Sequence, residues 1–177
     1  MVQGNVNRLL DFLERCGPDL YAMLTRLTLH EDEAEDLMQE LFIKLGHSKV
    51  FDKAENPLAY ARRCAVNLAF DWRKKKLHTP LPFDADACPS SNDKPQPDEL
   101  VEREEMEEIL RGITRLRGLG RQAFVMHYIQ QDSYEDIARA LNKEPHQVRA
   151  LCSKAMGQLR SMLNHESGTI RREVCDG

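Results

Sequence analysis

The chain has 177 residues, of which 31% are charged and 41% apolar, and its formal net charge is -4. That length holds one domain or two small ones, and so slight an acidity excludes a bulk nucleic-acid coat while leaving room for local basic patches. No apolar run is long enough to cross a bilayer and the N-terminus lacks a basic-then-apolar signal pattern, so a cytoplasmic protein without a membrane span is expected.

Alternating Val/Ile/Thr runs are absent, which makes the predicted fold class all-α. Residues 5–29 form a first helical region with Leu9, Leu10, Phe12, Leu13, Leu20, Met23, Leu24 and Leu27 as its core face. Gly17-Pro18 is expected to break or kink it. The acidic run Glu31-Asp32-Glu33 follows, where a helix N-terminus favours negative charge. From there Ala34, Leu37, Met38, Leu41, Phe42 and Leu45 recur at helical spacing and make one broad apolar stripe. Opposite lie Asp36, Gln39, Glu40, Ile43 and Lys44. Taken alone this is an ordinary amphipathic core helix; Ile43 among the polar residues is the departure.

Gly46 to Glu55 reads as a loop. Asn56-Pro57 then starts a second helix, with Asn as N-cap and Pro in the first turn. It runs to about Lys76 and carries two stripes. Leu58, Ala61, Ala65, Leu68, Ala69 and Trp72 point inward, while Tyr60, Arg63, Asn67, Phe70 or Asp71, and Lys74 share another face. Six basic residues (Arg62, Arg63, Arg73, Lys74, Lys75, Lys76) stand against Asp71. Basic residues interleaved with aromatics and an amide suit unstacked bases beside phosphates. A solvated helix with a cationic C-terminal turn fits the same residues.

Residues 77–98 change to Pro, Ser, Asp and Asn, and are predicted to be a flexible acidic linker between domains 1–76 and 99–163. About 22 residues reach roughly 70 Å at full stretch, about two DNA turns of 34–36 Å each. In the second domain Ser133-Tyr134-Glu135-Asp136 resembles a capping box. It opens a short helix with Ile137, Ala138 and Leu141 inward. Asn142-Lys143-Glu144 is a turn, in which Asn142 tolerates the left-handed conformation. Pro145 opens a last helix through Val148, Leu151, Ala155, Leu159 and Met162. Two helices joined so briefly are a helix-turn-helix. Its outward stripe is His146, Arg149, Ala150, Ser153, Lys154 and Gly157, small and basic enough to enter a major groove. Residues 164–177 are a polar tail expected to fray. Scattered Cys16, Cys64, Cys88, Cys152 and Cys175, never in C-x-x-C, read as reduced thiols, and the histidines lack ligand spacing. No metal or other cofactor is expected.

The order is acidic amphipathic helix, basic-aromatic helix, acidic linker, helix-turn-helix. It resembles a bacterial RNA polymerase sigma factor of the compact extracytoplasmic-function type, over about Val6 to Leu163. The resemblance is carried by D-E-A-E-D-L-M-Q-E-L-F-I-K-L (Asp32–Leu45), N-P-L-A-Y-A-R-R-C-A-V-N-L-A-F-D-W-R-K-K-K (Asn56–Lys76) and S-Y-E-D-I-A-R-A-L (Ser133–Leu141) followed by Val148-Arg149. It implies a protein that is not an enzyme, whose partners are core RNA polymerase, promoter DNA and an anti-sigma protein. By the same resemblance Asp36, Gln39, Glu40, Phe42, Ile43 and Lys44 would dock on the polymerase clamp helices. The −10 promoter element would be recognised and held open by Asp52, Asn56, Tyr60, Arg62, Arg63, Asn67, Asp71, Arg73 and Lys74. Within that set Asn67 would bond a flipped base, the loop Phe51 to Asn56 would form its pocket, and the arginines and Lys74 would hold phosphates. The −35 element would be read by His146, Gln147, Arg149, Ala150, Ser153 and Lys154.

Three departures from the family pattern stand out. Leu116–Phe124 (L-R-G-L-G-R-Q-A-F) replaces a Pro-containing turn, Glu144 is a poor N-cap, and Ala150 and Cys152 stand where longer or polar residues are commoner. Two other readings fit parts of the chain. One is a free-standing helix-turn-helix regulator whose N-terminal half dimerises or senses a signal. The other is an all-α metal-dependent nucleotide hydrolase using Glu33/Asp36/Glu40 and Glu104/Glu105/Glu108, if those acids converge on Mg²⁺.

Overall fold

The buried stripe Leu9, Phe12, Leu20, Met23, Leu24 and Leu27 lies along one uninterrupted helix, α1 (Val2–Thr28), with Pro18 inside it. The expected break does not occur. An interior proline costs about 3 kcal/mol, whereas each fully buried Leu or Phe contributes about 1.5–3 kcal/mol, so the continuous stripe outweighs it. The computed structural model describes residues 2–78 and 97–173, with side chains for 7–77 and 101–164. Most of the predicted linker therefore lies outside the described residues, as do Cys88 and Cys175.

Thr28 ends α1. Its buried hydroxyl lies 3.0 Å from Leu24 O and 2.8 Å from His30 O and donates its one proton between them, and Leu29 turns through a left-handed φ of 63° into α2 (Glu31–Gly46). Glu31, Asp32 and Glu33 fill the first turn of α2, as the dipole favours, and Ala34, Leu37, Leu41 and Leu45 are buried. The predicted loop after Gly46 contains a one-turn helix, α3 (Lys49–Asp52). Ser48 caps it by accepting from Phe51 N, and Phe51 is buried edge-on to Phe12. Asn56 caps α4 (Pro57–His78) as expected, Oδ1 accepting from Ala59 N at 3.0 Å. Packed together, α1, α2 and α4 form the proximal bundle.

α5 (Pro97–Arg115) begins the distal bundle and packs on α8 (Pro145–Glu173), with Leu110, Ile113 and Leu159 buried between them. Gly112 is what allows the approach: a Cβ there would collide with Leu159 Cδ1. Gly112→Ala is expected to cost about 1–3 kcal/mol of stability through overpacking, read as a lowered midpoint in urea unfolding. An unchanged midpoint would mean that these helices do not pack so closely.

Gly118, at φ 60°, supplies the left-handed residue that starts α6 (Gly118–Phe124), which replaces the Pro-containing turn of the family pattern. The helix then widens into a π-helical turn over Val125–Ile129, a feature not legible in the sequence. α7 (Tyr134–Leu141) is capped by Ser133, which accepts from Asp136 N at 3.1 Å, and ends at left-handed Asn142, both as predicted. Ala123, Met126, Ile137, Ala138, Leu141, Val148 and Cys152 form the small core of the helix-turn-helix. Where fraying was expected after Asn164, the backbone stays helical to Glu173. Gly168 is the one breaker in that stretch, and no proline interrupts the hydrogen-bond ladder.

The two bundles touch. Leu110, Ile113, Leu116, Phe124 and Val125 share one apolar cluster with Leu20, Leu24, Val66 and Phe70 of the proximal bundle. The tether is long enough for separation, yet the described structure is a closed one. Every regular element among the described residues is helical, as the all-α class requires, and none is long and apolar enough to cross a membrane.

Candidate nucleic-acid interface

The outer face of α2 is open. Asp36, Gln39, Glu40, Phe42, Ile43 and Lys44 are all exposed, Ile43 at 59%. Leu13, Tyr21, Met38, Phe42 and Ile43 line a shallow apolar groove between α1 and α2, with Glu35 and Gln39 on its rim. Exposed Ile43 beside carboxylates is what an interface requires and a solvated face does not.

On α4 the predicted −10 residues divide. Asp71 and Lys74 are exposed, while Tyr60, half-buried, bonds through its hydroxyl to Ser48 Oγ at 2.9 Å. Asn56 is occupied by its cap and Asp52 O accepts from Arg8 at 2.8 Å. Arg62, Asn67 and Arg73 meet the distal bundle, whereas Arg63 is half-buried with its Nε unpaired. Arg62 donates to both carboxylate oxygens of Asp132, at 3.0 and 3.2 Å. Asn67 Oδ1 accepts from Arg121 at 3.4 Å and from Gln122 at 3.3 Å. Phe70, fully buried, lies under the Arg121 guanidinium at 5.0 Å. Arg73 is only 4% exposed. It forks onto Glu107 at 2.8 and 3.2 Å and donates to Leu27 O and Thr28 O. In this arrangement Arg73, predicted to meet phosphate, is sequestered by protein acceptors.

Electrostatics at this seam are mixed. Burial would raise the Glu107 carboxyl, but the Arg73 hydrogen bonds and charge, with Lys76 and Arg111, hold it below the ordinary carboxylate range. Burial pushes Asp132 up, Asp136 adds to this, and Arg62 offsets it only in part. For Arg121 burial lowers the pKa against the pull of Asp71. Arg63 Nε, Arg121 Nε, Gln122 Oε1 and Gln130 Oε1 are buried with no hydrogen-bond partner.

His30 sits at the joint of the bundles. Its Nδ1 lies 3.2 Å from Arg103 and its Nε2 3.4 Å from Lys76, and Trp72 packs edge-on to the ring. Burial, then Lys76 and Arg103, lower its pKa, with Glu107 and Glu33 opposing. The neutral ring therefore belongs to the folded chain. Its stabilising contribution is complete above about pH 6.5, the ordinary imidazole value, and is lost as pH falls through the lowered folded value. Thermal melts between pH 7 and pH 5.5 should show a falling Tm, and His30→Gln should flatten that slope. An unaltered slope would assign it to other groups.

The predicted −35 residues lie together on α8. His146, Gln147, Arg149, Ala150, Ser153 and Lys154 are all exposed. Gln147 compensates for the poor cap at Glu144, its Oε1 accepting from Glu144 N at 3.1 Å. Arg149 is aimed by a stack: its guanidinium lies 5.3 Å over Tyr134, and Tyr134 stacks on His127 at 4.2 Å. Cys152 is buried behind this face, and burial pushes its thiol up, so it is an inert core residue.

Sequence reasoning missed Glu107, Arg121, Gln122 and Asp132. Arg121 and Gln122 lay inside the departure noted at Leu116–Phe124, but nothing local indicates what they touch. The carboxylates offered to a hydrolase do not converge: no group of three or more His, Cys, Asp or Glu among the described residues could hold a metal ion.

Known proteins bear the same pattern. The family description "Sigma-70 region 2" matches residues 12–78, from within α1 to the end of α4. The chain is 26% identical over 167 residues to the ECF RNA polymerase sigma factor SigX of Bacillus subtilis (strain 168), covering 89% of this chain and 82% of the relative. In fold it resembles CnrH, solved in complex with the cytosolic domain of CnrY. That match has a TM-score of 0.53 at 18% identity, covering 93% of this chain and 92% of the other. The sigma factor RpoE, solved with the anti-sigma factor NepR from Bartonella quintana, superposes at a TM-score of 0.47 with 19% identity, over 87% and 97% of the two chains. Residues 12–78, which carry the open α2 face and the basic α4 face, match sigma-70 region 2, and over 89% of its length the chain is similar to an extracytoplasmic-function sigma factor.

Proposed function

We infer that the protein is an alternative sigma factor, which binds core RNA polymerase, directs it to two-part promoters and starts transcription. The observation that carries this is the pair of separate exposed surfaces. An apolar-acidic face on α2 suits a protein partner, and a small-basic face on α8 suits a major groove. The chemistry of RNA synthesis then belongs to the polymerase, and this chain is a regulator rather than an enzyme, acting in the cytoplasm where the polymerase works. Core contacts come from Asp36, Gln39, Glu40, Phe42, Ile43 and Lys44. Strand opening rests on α4, where Asn67 accepts an unstacked base and Arg62, Arg63, Arg73 and Lys74 hold phosphates. Unstacking costs a few kcal/mol, which the pocket returns in stacking and hydrogen bonds. Arg149, Ser153 and Lys154, with His146, Gln147 and Ala150, read the −35 element. An anti-sigma protein is the remaining partner of this reading.

In vitro transcription with purified core polymerase on a promoter library tests it. Discrete start sites that depend on this chain are expected. Specific duplex binding without polymerase, and no transcripts with it, would instead indicate a free-standing regulator.

A further inference from the structure

We propose that Tyr134 and His127 are positioning residues for promoter reading, which hold the Arg149 guanidinium with its N–H edge toward a guanine of the −35 element. This rests on the reading of α8 as the face that enters the major groove. Arg149 is the fifth residue of α8, within the N-terminal stretch by which a recognition helix meets base edges. Ala150 and Ser153, beside it on the outward face, are too short to steady so long a side chain. The support comes from outside α8. The Arg149 guanidinium lies over the Tyr134 ring, 5.3 Å from its centroid. An aromatic ring holds a guanidinium by its face and leaves the N–H edge open. That edge is the fork that pairs with O6 and N7 of guanine.

The ring is itself fixed. Tyr134 is the first residue of α7, directly after the Ser133 cap, and is half-buried against the small core of the helix-turn-helix. His127 stacks on it, with centroids 4.2 Å apart and planes 26° from parallel. His127 is held in turn, its Nδ1 3.1 Å from Asp132 O and its ring edge-on to Tyr128 at 4.8 Å. His127 and Tyr128 both belong to the π-helical turn, and such turns are frequent at functional sites. An arginine left loose gives up rotamer freedom when it meets a base, and one already held gives up less. The stack therefore sharpens discrimination at the base that Arg149 reads and adds nothing at the other positions.

The test is transcription by the full chain with core polymerase from a library randomised in the −35 element, the preference at each position being taken from transcript counts. Arg149→Ala marks the position it reads by erasing a preference for guanine there. Tyr134→Leu, which keeps apolar bulk but has no ring face, should weaken that same preference about 2- to 5-fold, the factor by which an exposed ring holds a cation. Tyr134→Phe should restore it, and Tyr134→Leu should add nothing to Arg149→Ala. An even loss across all −35 positions in Tyr134→Leu, or none, overturns the proposal, as does a Phe variant that behaves like the Leu variant. Should Tyr134→Leu not fold by circular dichroism, His127→Leu leaves the Tyr134 ring in place and carries the same readout, with loss confined to the Arg149 position expected. If Arg149→Ala leaves every −35 preference unchanged, the reading of α8 fails and the proposal with it. A guanine preference lost in Arg149→Ala but kept in Tyr134→Leu sinks the positioning alone.

Discussion

Reversing Asp36 and Glu40 to lysine should lower affinity for core polymerase at least about 100-fold, because like charges brought together at an interface cost several kcal/mol and each 1.4 kcal/mol is tenfold. Both side chains are exposed on the outer face of α2, so the fold should change little, within about 0.5 kcal/mol. Lys44 is a small complication. It lies one turn beyond Glu40, and repulsion at that spacing costs only about 0.2–0.5 kcal/mol. Fluorescence anisotropy of labelled chain against core enzyme at two salt concentrations would measure the loss. Retained affinity would move the polymerase contact away from α2.

Asn67→Ala should have the opposite profile. Polymerase binding stays intact and promoter melting falls, by about 1–3 kcal/mol for a lost amide–base contact, roughly 5- to 150-fold. A second effect works against this one. The variant also loses the bonds from Arg121 and Gln122, which loosens the closed form. Those bonds are long, at 3.3 and 3.4 Å. A neutral bond such as that from Gln122 contributes about 0.5–1.5 kcal/mol net and one from a charged donor such as Arg121 about 1.5–3 kcal/mol; at these lengths both sit at the weak end, so the lost base contact wins. Permanganate footprinting of the bubble checks the outcome; an unchanged footprint would remove Asn67 from the pocket.

Together the two variants separate recruitment from opening, and the structure explains why they can be separated. The α2 face and the α4 face belong to one bundle but point into different surroundings. One is open to solvent, and the other is covered by helices far along the chain. A third class of variant, at the seam itself, alters neither face directly.

Much of this was legible from residue order. The 3.6-residue stripes of α1, α2 and α4 placed most of the buried side chains, because burial of apolar area is indifferent to what lies opposite; Leu10 and Phe42, assigned to those stripes, are instead exposed at their edges. Caps at Ser133 and Asn56 and the left-handed Asn142 followed from local hydrogen bonding and backbone sterics. Apart from Phe42, the exposed sets on α2 and α8 likewise follow from helical phase alone. Predictions failed where a distant partner decided the outcome. Pro18 was tolerated because packing along α1 outweighed its lost hydrogen bond, and Arg73 was buried by acceptors from α1 and α5. Phe70 and Asn67 lie on the face that periodicity assigned to solvent or DNA, yet Arg121 and Gln122 of α6 lie against it. Sequence by itself determined which residues each helix hides and which chemistry it offers, since both depend on neighbours within a few positions. Tertiary structure alone decided which offered groups are already taken, because an arginine accepts a carboxylate or a phosphate by the same fork, and only proximity selects between them.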